Sequence, residues 1–333
     1  MATWQITFWD VGQGDATDIR LPDGSHVLID AGPSLKQGNP LPAWFLRMGS
    51  PLIRLSVVTH SHEDHFGGLT ALCRESAQRI ERVAVMNDSL LRGGNHSAAL
   101  QSFLRTLAER KADGRTKVEL LDSEGTLYAD SDFRLRLVYP KCLLGSEKLP
   151  TNVNLTSMVI VLESAKGTPQ MPLVVWGGDN SLRHIGEALP RQSPFILMGP
   201  HHGHPEGRPK TPQYRKFFKE QLNPKYVYVS VERRYQSALT DPYYIKGAAF
   251  SGVRVCCSQL ATNCDSARGC DVFEGSAMIG VDKPQGSVQC RGAMRIYVDS
   301  QTGVRFDENQ PTFERLVREL YPDAPCNRKP QTR

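Results

Sequence analysis

Six consecutive residues, His60 to His65, carry the densest group of metal-binding side chains in the chain. They read HSHEDH and hold three of the nine histidines of the 333-residue sequence, together with two carboxylates. Divalent transition metals take imidazole nitrogens and carboxylate oxygens as ligands. The side chains of alternate residues in an extended segment point the same way, so we expect His60 and His62 to bind one ion. Asp64 and His65, turning into a following helix, can reach a second ion, and the spacing therefore predicts a binuclear metal site.

The HSHEDH motif follows a strand in a chain that alternates strand and helix signals. The apolar run Leu55 to Val58 leads directly into it, and α/β sheets usually present ligands at strand ends. Upstream, LPDGSHVLIDAG predicts a β-hairpin closed by a Pro-Asp-Gly turn, with Asp30 ending its second strand. Later apolar runs end at WGGDN, which contains Asp179, and at GPHHGH, residues 199 to 204. The pattern predicts a mixed α/β fold with these polar side chains at strand ends.

Length and composition are those of a globular protein. With 333 residues, 40% of them hydrophobic, we expect a catalytic domain over residues 1–250 and a C-terminal extension over residues 251–333. The opening MATWQITFWD lacks a basic segment before an apolar run, and no stretch approaches about 20 apolar residues. A cytoplasmic protein without membrane spans is therefore expected. The net charge of +5 permits an anionic partner such as nucleic acid.

The candidate ligands stand in the order of a known family. Residues 59–68, THSHEDHFGG, resemble the HxHxDH signature of the metallo-β-lactamase fold, and Asp30, Asp179 and the GPHHGH histidines match its other landmarks. Over about residues 1–231, the stretches FWDVGQGDATDIRLPDGSHVLIDAG, NLTSMVIVLE, WGGDN and PHHGH look like the soluble domain of ComEC-type competence proteins. The resemblance implies an α/β fold, namely the αββα sandwich of the metallo-β-lactamase fold. In this chain we expect a cysteine-rich C-terminal extension to follow the sandwich.

The resemblance also implies a role for each landmark around the second metal. Asp179 would bridge the two ions, and Asp30 would orient a ligand histidine through its second ring nitrogen. The second ion would then be held by Asp64, His65, Asp179 and either His201 or His202. Catalysis is expected to depend on Asp64, His65 and Asp30.

The first metal site is expected to be incomplete. In the wider fold a third histidine precedes the strand that leads to the bridging aspartate, but this chain has NVNLTS at that place. The resemblance therefore implies a first ion held by His60, His62 and Asp179 with water, and with Asn154 or Ser157 nearby. Fewer imidazoles and more oxygen ligands shift metal preference from zinc toward manganese.

A binuclear site of this kind suits phosphodiester hydrolysis. Two close cations lower the pKa of a bridging water and clamp the attacking and leaving oxygens of an in-line displacement. We therefore expect a nuclease or phosphodiesterase that acts on DNA or RNA, with His204 and Lys210 as candidates to contact substrate. The alternatives are a hydrolase of a thioester, lactone or lactam, and a non-catalytic component of a defence-type complex. HHGHPEG departs from the family pattern after HHG and leaves the substrate open.

Five of the eight cysteines crowd into residues 256–290 of the C-terminal extension. Cys257, Cys264, Cys270 and Cys290 are candidates for a structural zinc site, with Cys256 as an alternative first member. In a cytosolic chain such a cluster favours metal binding over a disulfide framework. Gly-, Ser- and Asp-rich sequence between the thiols cannot build its own core, so a metal would stabilise it. Free buried thiols are the alternative.

Overall fold

Two β-sheets form the centre of the molecule. The computed structural model describes residues 3–86, 97–142, 152–165, 172–204, 210–233 and 241–327, without the side chains of residues 141 and 142. Within these ranges sheet 1 contains β1 (Thr3–Phe8), β2 (Ala16–Arg20), β3 (His26–Ala31), β4 (Ile53–Val58), β5 (Arg82–Met86), β6 (Lys117–Leu121), β14 (Met294–Asp299) and β15 (Gly303–Phe306). Sheet 2 contains β7 (Ser123–Ala129), β8 (Phe133–Cys142), β9 (Val159–Ser164), β10 (Pro172–Trp176), β11 (Ile196–Met198), β12 (Tyr226–Val229) and β13 (Arg254–Cys257).

The strands of sheet 1 lie in the order β15-β14-β1-β2-β3-β4-β5-β6, and those of sheet 2 lie in the order β13-β12-β11-β10-β9-β8-β7.

Helices cover the outer faces of both sheets. The described helices are α1 (Leu41–Arg47), α2 (Glu63–Arg74), α3 (Ala98–Ala112), α4 (Leu182–Ala188), α5 (Thr211–Lys216), α6 (Pro242–Phe250), α7 (Gly275–Met278) and α8 (Gln310–Leu320). A π-helical turn over residues 217–221 continues α5, and single 3₁₀ turns cover residues 35–37, 153–156, 200–203 and 325–327. Among the described helices, none is long and apolar enough to cross a bilayer.

Three hydrophobic layers hold the sheets and helices together. Phe8 and Trp176, one from each sheet, stack in the central layer with ring centroids 6.5 Å apart. Phe66 of α2 stacks on Phe103 of α3 at 4.8 Å in the layer outside sheet 1. Tyr244 of α6 is buried in the layer outside sheet 2. Residues buried on both faces of a sheet require a cover on both sides. The predicted αββα sandwich is confirmed.

The segment after residue 250 is built into this sandwich. β13 pairs with β12 in sheet 2, and β14 pairs with β1 in sheet 1 over the register Thr3 to Asp299 through Phe8 to Met294. The buried Arg291 also pairs with Asp307 at 2.9 Å. The described residues after position 250 thus add strands to both sheets, and the predicted domain boundary at residue 250 stays a prediction.

Parallel strand pairs bring the polar motifs to one edge of the sandwich. β3 runs parallel to β4, and β10 runs parallel to β11, so the carboxyl ends within each pair lie side by side. The backbone N–H of Met158 donates to the carbonyl of Thr59 at 3.0 Å and joins the two sheets at this edge. Asp30, His60 and Asp179 come from these strand ends, which is the placement expected for α/β sites.

Two glycines let α2 approach the end of β3. A Cβ atom on Gly68 would lie 2.1 Å from the carbonyl oxygen of Ala31, and one on Gly67 would lie 2.3 Å from the backbone nitrogen of Ser34. Both obstacles are backbone atoms, which cannot move aside without displacing the strand end. The glycine pair therefore fixes the distance between the helix that carries His65 and the strand that carries Asp30.

We expect Gly68→Ala to lower the free energy of unfolding by about 1–3 kcal/mol, the usual cost of an overpacked site. Gly186→Ala in α4 is the matched control, because the nearest atoms to its Cβ all belong to the side chain of Gln221, whose oxygen at 2.2 Å can rotate away. Urea denaturation of both variants checks this. A Gly68→Ala protein as stable as Gly186→Ala would contradict the close approach.

Candidate metal centre

The buried carboxylate of Asp179 lies at the centre of the polar cluster. Its Oδ2 atom is 3.4 Å from Nε2 of His60, 3.9 Å from Nδ1 of His62 and 3.6 Å from Nε2 of His201. Its Oδ1 atom is 3.2 Å from Nε2 of His65 and 3.8 Å from Nε2 of His202. Three histidines therefore gather on one oxygen of the carboxylate and two on the other.

A second carboxylate completes the Oδ1 side. Oδ2 of Asp64 lies 3.2 Å from Nε2 of His202, and the ligand atoms of Asp64, His65 and His202 all lie within 4.8 Å of one another. The ligand atoms of His60, His65 and Asp179 form a second such group. His65 belongs to both groups, and with His60, His62 and His201 near Oδ2 the Asp179 carboxylate has candidate ligands at each of its oxygens.

His201 lies near the same carboxylate oxygen of Asp179 as His60 and His62. The resemblance implied a first site with His60, His62 and Asp179, and with either His201 or His202 at the second site. Instead both GPHHGH histidines point into the cluster, and His201 joins His60 and His62 on Oδ2 of Asp179. Sequence spacing could not show this, since adjacent side chains of a regular strand point to opposite faces and reach one cluster together only in an unusual backbone conformation.

That conformation is left-handed at both histidines. His201 has φ 49° and His202 has φ 53°, a region that costs non-glycine residues about 1–3 kcal/mol each. The backbone N–H of His201 donates to the carbonyl of Gly178 at 3.0 Å, which ties the loop to the turn that carries Asp179. Strain at two consecutive ligand candidates is typical of functional sites.

NVNLTS, residues 152–157, accepts hydrogen bonds from the turn that contains Asp179. The backbone N–H of Asp179 donates to Oγ of Ser157 at 3.2 Å, and Nδ2 of Asn180 donates to the carbonyl of Ser157 at 2.7 Å. The carbonyl of the buried Asn154 accepts from the N–H of Ser157 at 3.1 Å. Ser157 therefore contacts the backbone that positions Asp179, and its hydroxyl is engaged there.

Asp30 lies directly behind His65. Oδ2 of Asp30 is 2.8 Å from Nδ1 of His65, and the same carboxylate accepts from the N–H of Thr59 at 2.8 Å and from its hydroxyl at 2.7 Å. This contact leaves Nε2 of His65 directed at Asp179. A carboxylate on the far nitrogen of a ligand histidine fixes its orientation and raises its basicity. The geometry is that of the orienting role implied for Asp30.

A carboxylate that the sequence did not assign supports His202 in the same way. Oδ1 of the buried Asp15 lies 3.1 Å from Nδ1 of His202, across 187 positions of the chain. Asp15 closes the stretch DVGQGD, which carried part of the family resemblance without a stated role. In the sequence, the one feature that points to Asp15 is its position after a loop that follows a strand end.

The protein charges alone make this site strongly polar. Burial opposes a positive charge on His65, but Asp30 and Asp179 outweigh burial and hold the pKa of His65 well above its usual range. Burial likewise opposes ionisation of Asp179, but His65, His60 and His202 hold the pKa of that carboxyl well below its usual range. For His60, burial and the charge of His65 prevail and lower the pKa.

Two buried atoms show that the donor set fits a metal. Oδ1 of Asp179 and Nε2 of His65 face each other at 3.2 Å, and neither has a hydrogen-bond partner of suitable geometry. Buried polar atoms without partners are rare and mark sites where an ion or water belongs. Imidazole nitrogens and carboxylate oxygens are ligands of zinc and manganese. The residues present therefore fit divalent cations on both sides of Asp179.

Comparison with known proteins agrees with this geometry. The family model described as "Metallo-beta-lactamase superfamily" matches residues 9–135. Residues 9–135 therefore carry the sequence pattern of that superfamily. The match includes the whole HSHEDH motif together with Asp15 and Asp30, and the αββα sandwich is the fold of that superfamily. No curated protein matches the chain.

Several solved structures are similar to part of this chain. Igni18, a metallo hydrolase from the archaeon Ignicoccus hospitalis KIN4/I, is 16% identical over 76% of this chain and 94% of its own, with a TM-score of 0.44. A metallo-β-lactamase from Hirschia baltica is 19% identical over 54% and 67%, with a TM-score of 0.29. One from Pontibacter korlensis is 15% identical over 53% and 72%, with a TM-score of 0.28.

The two predicted substrate contacts lie outside the groups of candidate ligand atoms. His204 follows the GPHHGH turn, and its ring centroid is 6.2 Å from that of His201. Lys210 is exposed at the start of α5. Substrate contact by either residue stays a prediction.

The predicted cysteine site is brought together only in part. Cys257, Cys264 and Cys326 pack on the layer outside sheet 2, and Cys264, Cys290 and Cys326 pack on the central layer, whereas Cys270 is exposed. In the described ranges, the groups of three ligand atoms within 4.8 Å contain histidine and aspartate alone. Burial, reinforced by neighbouring thiols, raises the pKa of Cys257 and Cys290 well above the usual range. The structural zinc stays a prediction.

The pKa of His202 gives the metal-free protein a distinct pH dependence. Burial opposes the charge of His202, but Asp15, Asp179 and Asp64 raise its pKa from 6.5 to about 10. A pKa raised by folding stabilises the protein fully below the unfolded value, and this contribution is lost as pH rises through the folded value. The free energy of unfolding should therefore fall between pH 6.5 and about 10.

We expect a loss of several kcal/mol over this window, since each unit of pKa difference is worth about 1.4 kcal/mol. Urea denaturation of the chelator-treated protein at pH 7 and pH 10 measures it. A His202→Gln variant should be less stable at pH 7 and should lose less stability on going to pH 10. Equal losses in the variant and the wild type would contradict the assignment.

Proposed function

We propose that this metallo-hydrolase cuts phosphodiester bonds, with DNA or RNA as its substrate. The observation that carries the proposal is the Asp179 carboxylate, which has one set of ligand atoms on each of its oxygens. Such an arrangement suits two divalent cations held a few Å apart. Paired cations serve in-line displacement at phosphorus especially well, because they stabilise the attacking and the leaving oxygen together.

Each ion would be held by a different set of side chains. His60, His62 and His201 would hold the first ion with Oδ2 of Asp179. The second ion would be held through Oδ1 of Asp179 by Asp64, His65 and His202. When bound, the ions would supply a hydroxide at neutral pH and neutralise charge on a phosphate.

The protein's own residues orient these ligands and leave one side open. Asp30 fixes the ring of His65, and the strained loop presents both GPHHGH histidines. The side chain of His62 is 44% exposed and that of His201 is 28% exposed, whereas that of His65 is fully buried. Solvent thus reaches the ligands at His62 and His201 and also at Asp64, whose side chain is 25% exposed, and substrate would approach from where these side chains are exposed.

A polar cavity adjoins the cluster at Asp64. It has a volume of about 590 Å³ and is lined by Gln13, Lys36, Gln37, Gly38, Glu63, Asp64, Glu232 and Gln285. The ammonium of Lys36 and the glutamine amides provide donors for a phosphate and for nucleotide polar groups. An apolar acyl chain would find few partners on this surface, which supports a nucleotide substrate.

The same cavity supports a second candidate function. Glu63 and Glu232 share its wall, and their negative charge would repel a second phosphate of a polyanion. A small polar substrate without net negative charge avoids this repulsion. The second candidate is therefore a hydrolase of a thioester, lactone or lactam of that kind.

A cleavage assay separates these two functions. We expect the purified protein with Mn²⁺ or Zn²⁺ to cut single- or double-stranded DNA or RNA, and Asp64→Ala and His65→Ala each to lower the rate at least about 100-fold. Asp113→Ala, at an exposed residue after α3, should leave the rate unchanged.

Two results would count against the nuclease. One is intact nucleic acid with every metal, including Mg²⁺, alongside turnover of a thioester or lactone that depends on Asp64. The other is cleavage that persists in both site variants, which would assign it to a contaminant.

Metal analysis tests the assignment of His201. We expect His201→Ala to retain one ion per chain after dialysis where the wild type retains two, because the first ion loses one of its imidazoles. His204→Ala replaces the neighbouring histidine, with its ring centroid 6.2 Å away, and should retain both ions. Equal metal content in the two variants would rule out His201 as a ligand.

A further inference from the structure

We propose that Asp15 is a positioning residue of the second metal site, and that the loop from Asp10 to Asp15 exists to hold it behind His202. The inference rests on the binuclear site of the proposed function but not on its substrate. Asp15 contacts neither ion in this scheme and acts through His202.

The contact between Asp15 and His202 is buried and directional. Oδ1 of Asp15 lies 3.1 Å from Nδ1 of His202, and both residues are almost fully buried. With Nδ1 engaged, Nε2 is the nitrogen that faces Oδ2 of Asp64 at 3.2 Å. The backbone carbonyl of Asp15 accepts from the N–H of Gly32 at 2.8 Å, which anchors the residue to the end of β3.

Gly14 allows this loop to touch the metal-binding helix. It has φ 132°, and a Cβ atom there would lie 2.3 Å from the backbone oxygen of Asp64. Glycine is needed because a side chain would collide with backbone at the first turn of α2. The loop therefore contacts two candidate ligands of the same ion, Asp64 through its backbone and His202 through its side chain.

The rest of the loop is held by buried polar side chains. The hydroxyl of Ser230, after β12, donates to the carbonyl of Gly12 at 3.2 Å and also to that of Gly14. Asp10 accepts from Nε2 of Gln259 at 2.9 Å and from Nε2 of Gln289 at 3.2 Å. Because this loop is fixed at both ends, it can hold the Asp15 carboxylate in one position against His202, whose backbone is strained.

The two histidines of the second site are thus supported alike. Asp30 lies behind His65 and Asp15 lies behind His202, each carboxylate on the Nδ1 atom. Such a carboxylate orients the ring and strengthens the nitrogen that faces the metal. Removal of a carboxylate of this kind typically costs about 10–100-fold in metal affinity. We therefore expect loss of Asp15 to weaken the second ion and to spare the first.

Cobalt binding tests the role of Asp15. The protein is stripped of metal, confirmed as folded by circular dichroism, and titrated with Co²⁺, whose visible absorption reports the ligands of each bound ion. Asp15→Ala should bind one ion as tightly as wild type and the other about 10–100-fold more weakly, with loss of its absorption bands. Asp15→Asn keeps an acceptor for Nδ1 and should recover part of this affinity.

Asp18→Ala provides the matched control. Asp18 is a buried aspartate in β2 whose Oδ1 lies 2.7 Å from Nδ1 of His26, away from the metal-binding groups. It should leave both cobalt affinities unchanged, even if the variant is less stable. Wild-type cobalt affinities in Asp15→Ala, or equal losses in Asp15→Ala and Asp18→Ala, would overturn the proposal. So would a wild-type protein that binds one ion in total.

This outcome is separate from the substrate. A wild-type protein that binds two cobalt ions, loses one with Asp15→Ala and cuts no nucleic acid would overturn the proposed phosphodiesterase and support the role of Asp15. A nuclease whose two ions are indifferent to Asp15 would do the reverse.

Discussion

The buried carboxylate of Asp179 is the constraint on which the rest of the site depends. An ionised carboxylate in the protein interior is costly unless positive charge or a metal compensates it. Here His65 and His202 supply positive charge, and Nε2 of His60 lies 3.4 Å from Oδ2 of the carboxylate. The strained turn at His201 and His202 and the close packing of α2 on β3 keep these rings near it. Both sheets therefore have to meet at this edge with little tolerance for displacement.

Around that carboxylate, the residues with a strained backbone are also those held by contacts to neighbouring segments. Asp30, His201 and His202 all have positive φ values, and each is tied down by hydrogen bonds or ion contacts to a neighbouring segment. Backbone strain persists only where the surroundings over-determine it. The glycines of α2 and of the Asp10–Asp15 loop have no side chain, so the backbones of neighbouring segments can approach closely at these positions. Rigid surroundings of this kind are what a preorganised metal site requires.

The sequence predicts the fold class and most of the candidate ligands because these signals are local. HSHEDH follows its strand directly, and Asp179 follows another, so spacing and apolar runs place them. The positions of His201 and Asp15 depend on information that spacing does not carry. One requires a left-handed backbone at two adjacent residues, and the other a contact across 187 positions. Cys270 also looks like its neighbours in sequence, and only packing separates it from Cys257.

The pairing of β1 with β14 has a consequence for the order in which the protein is made. β1 leads into the loop that ends at Asp15, yet one edge of this strand gains its neighbour only when residues 294–299 have been synthesised. Gln259 and Gln289, which hold Asp10, also emerge late from the ribosome. The HSHEDH segment thus leaves the ribosome long before its supporting loop is secured. Full metal affinity should accordingly arise only after residues 294–299 have been synthesised, and metal loading would follow the assembly of both sheets.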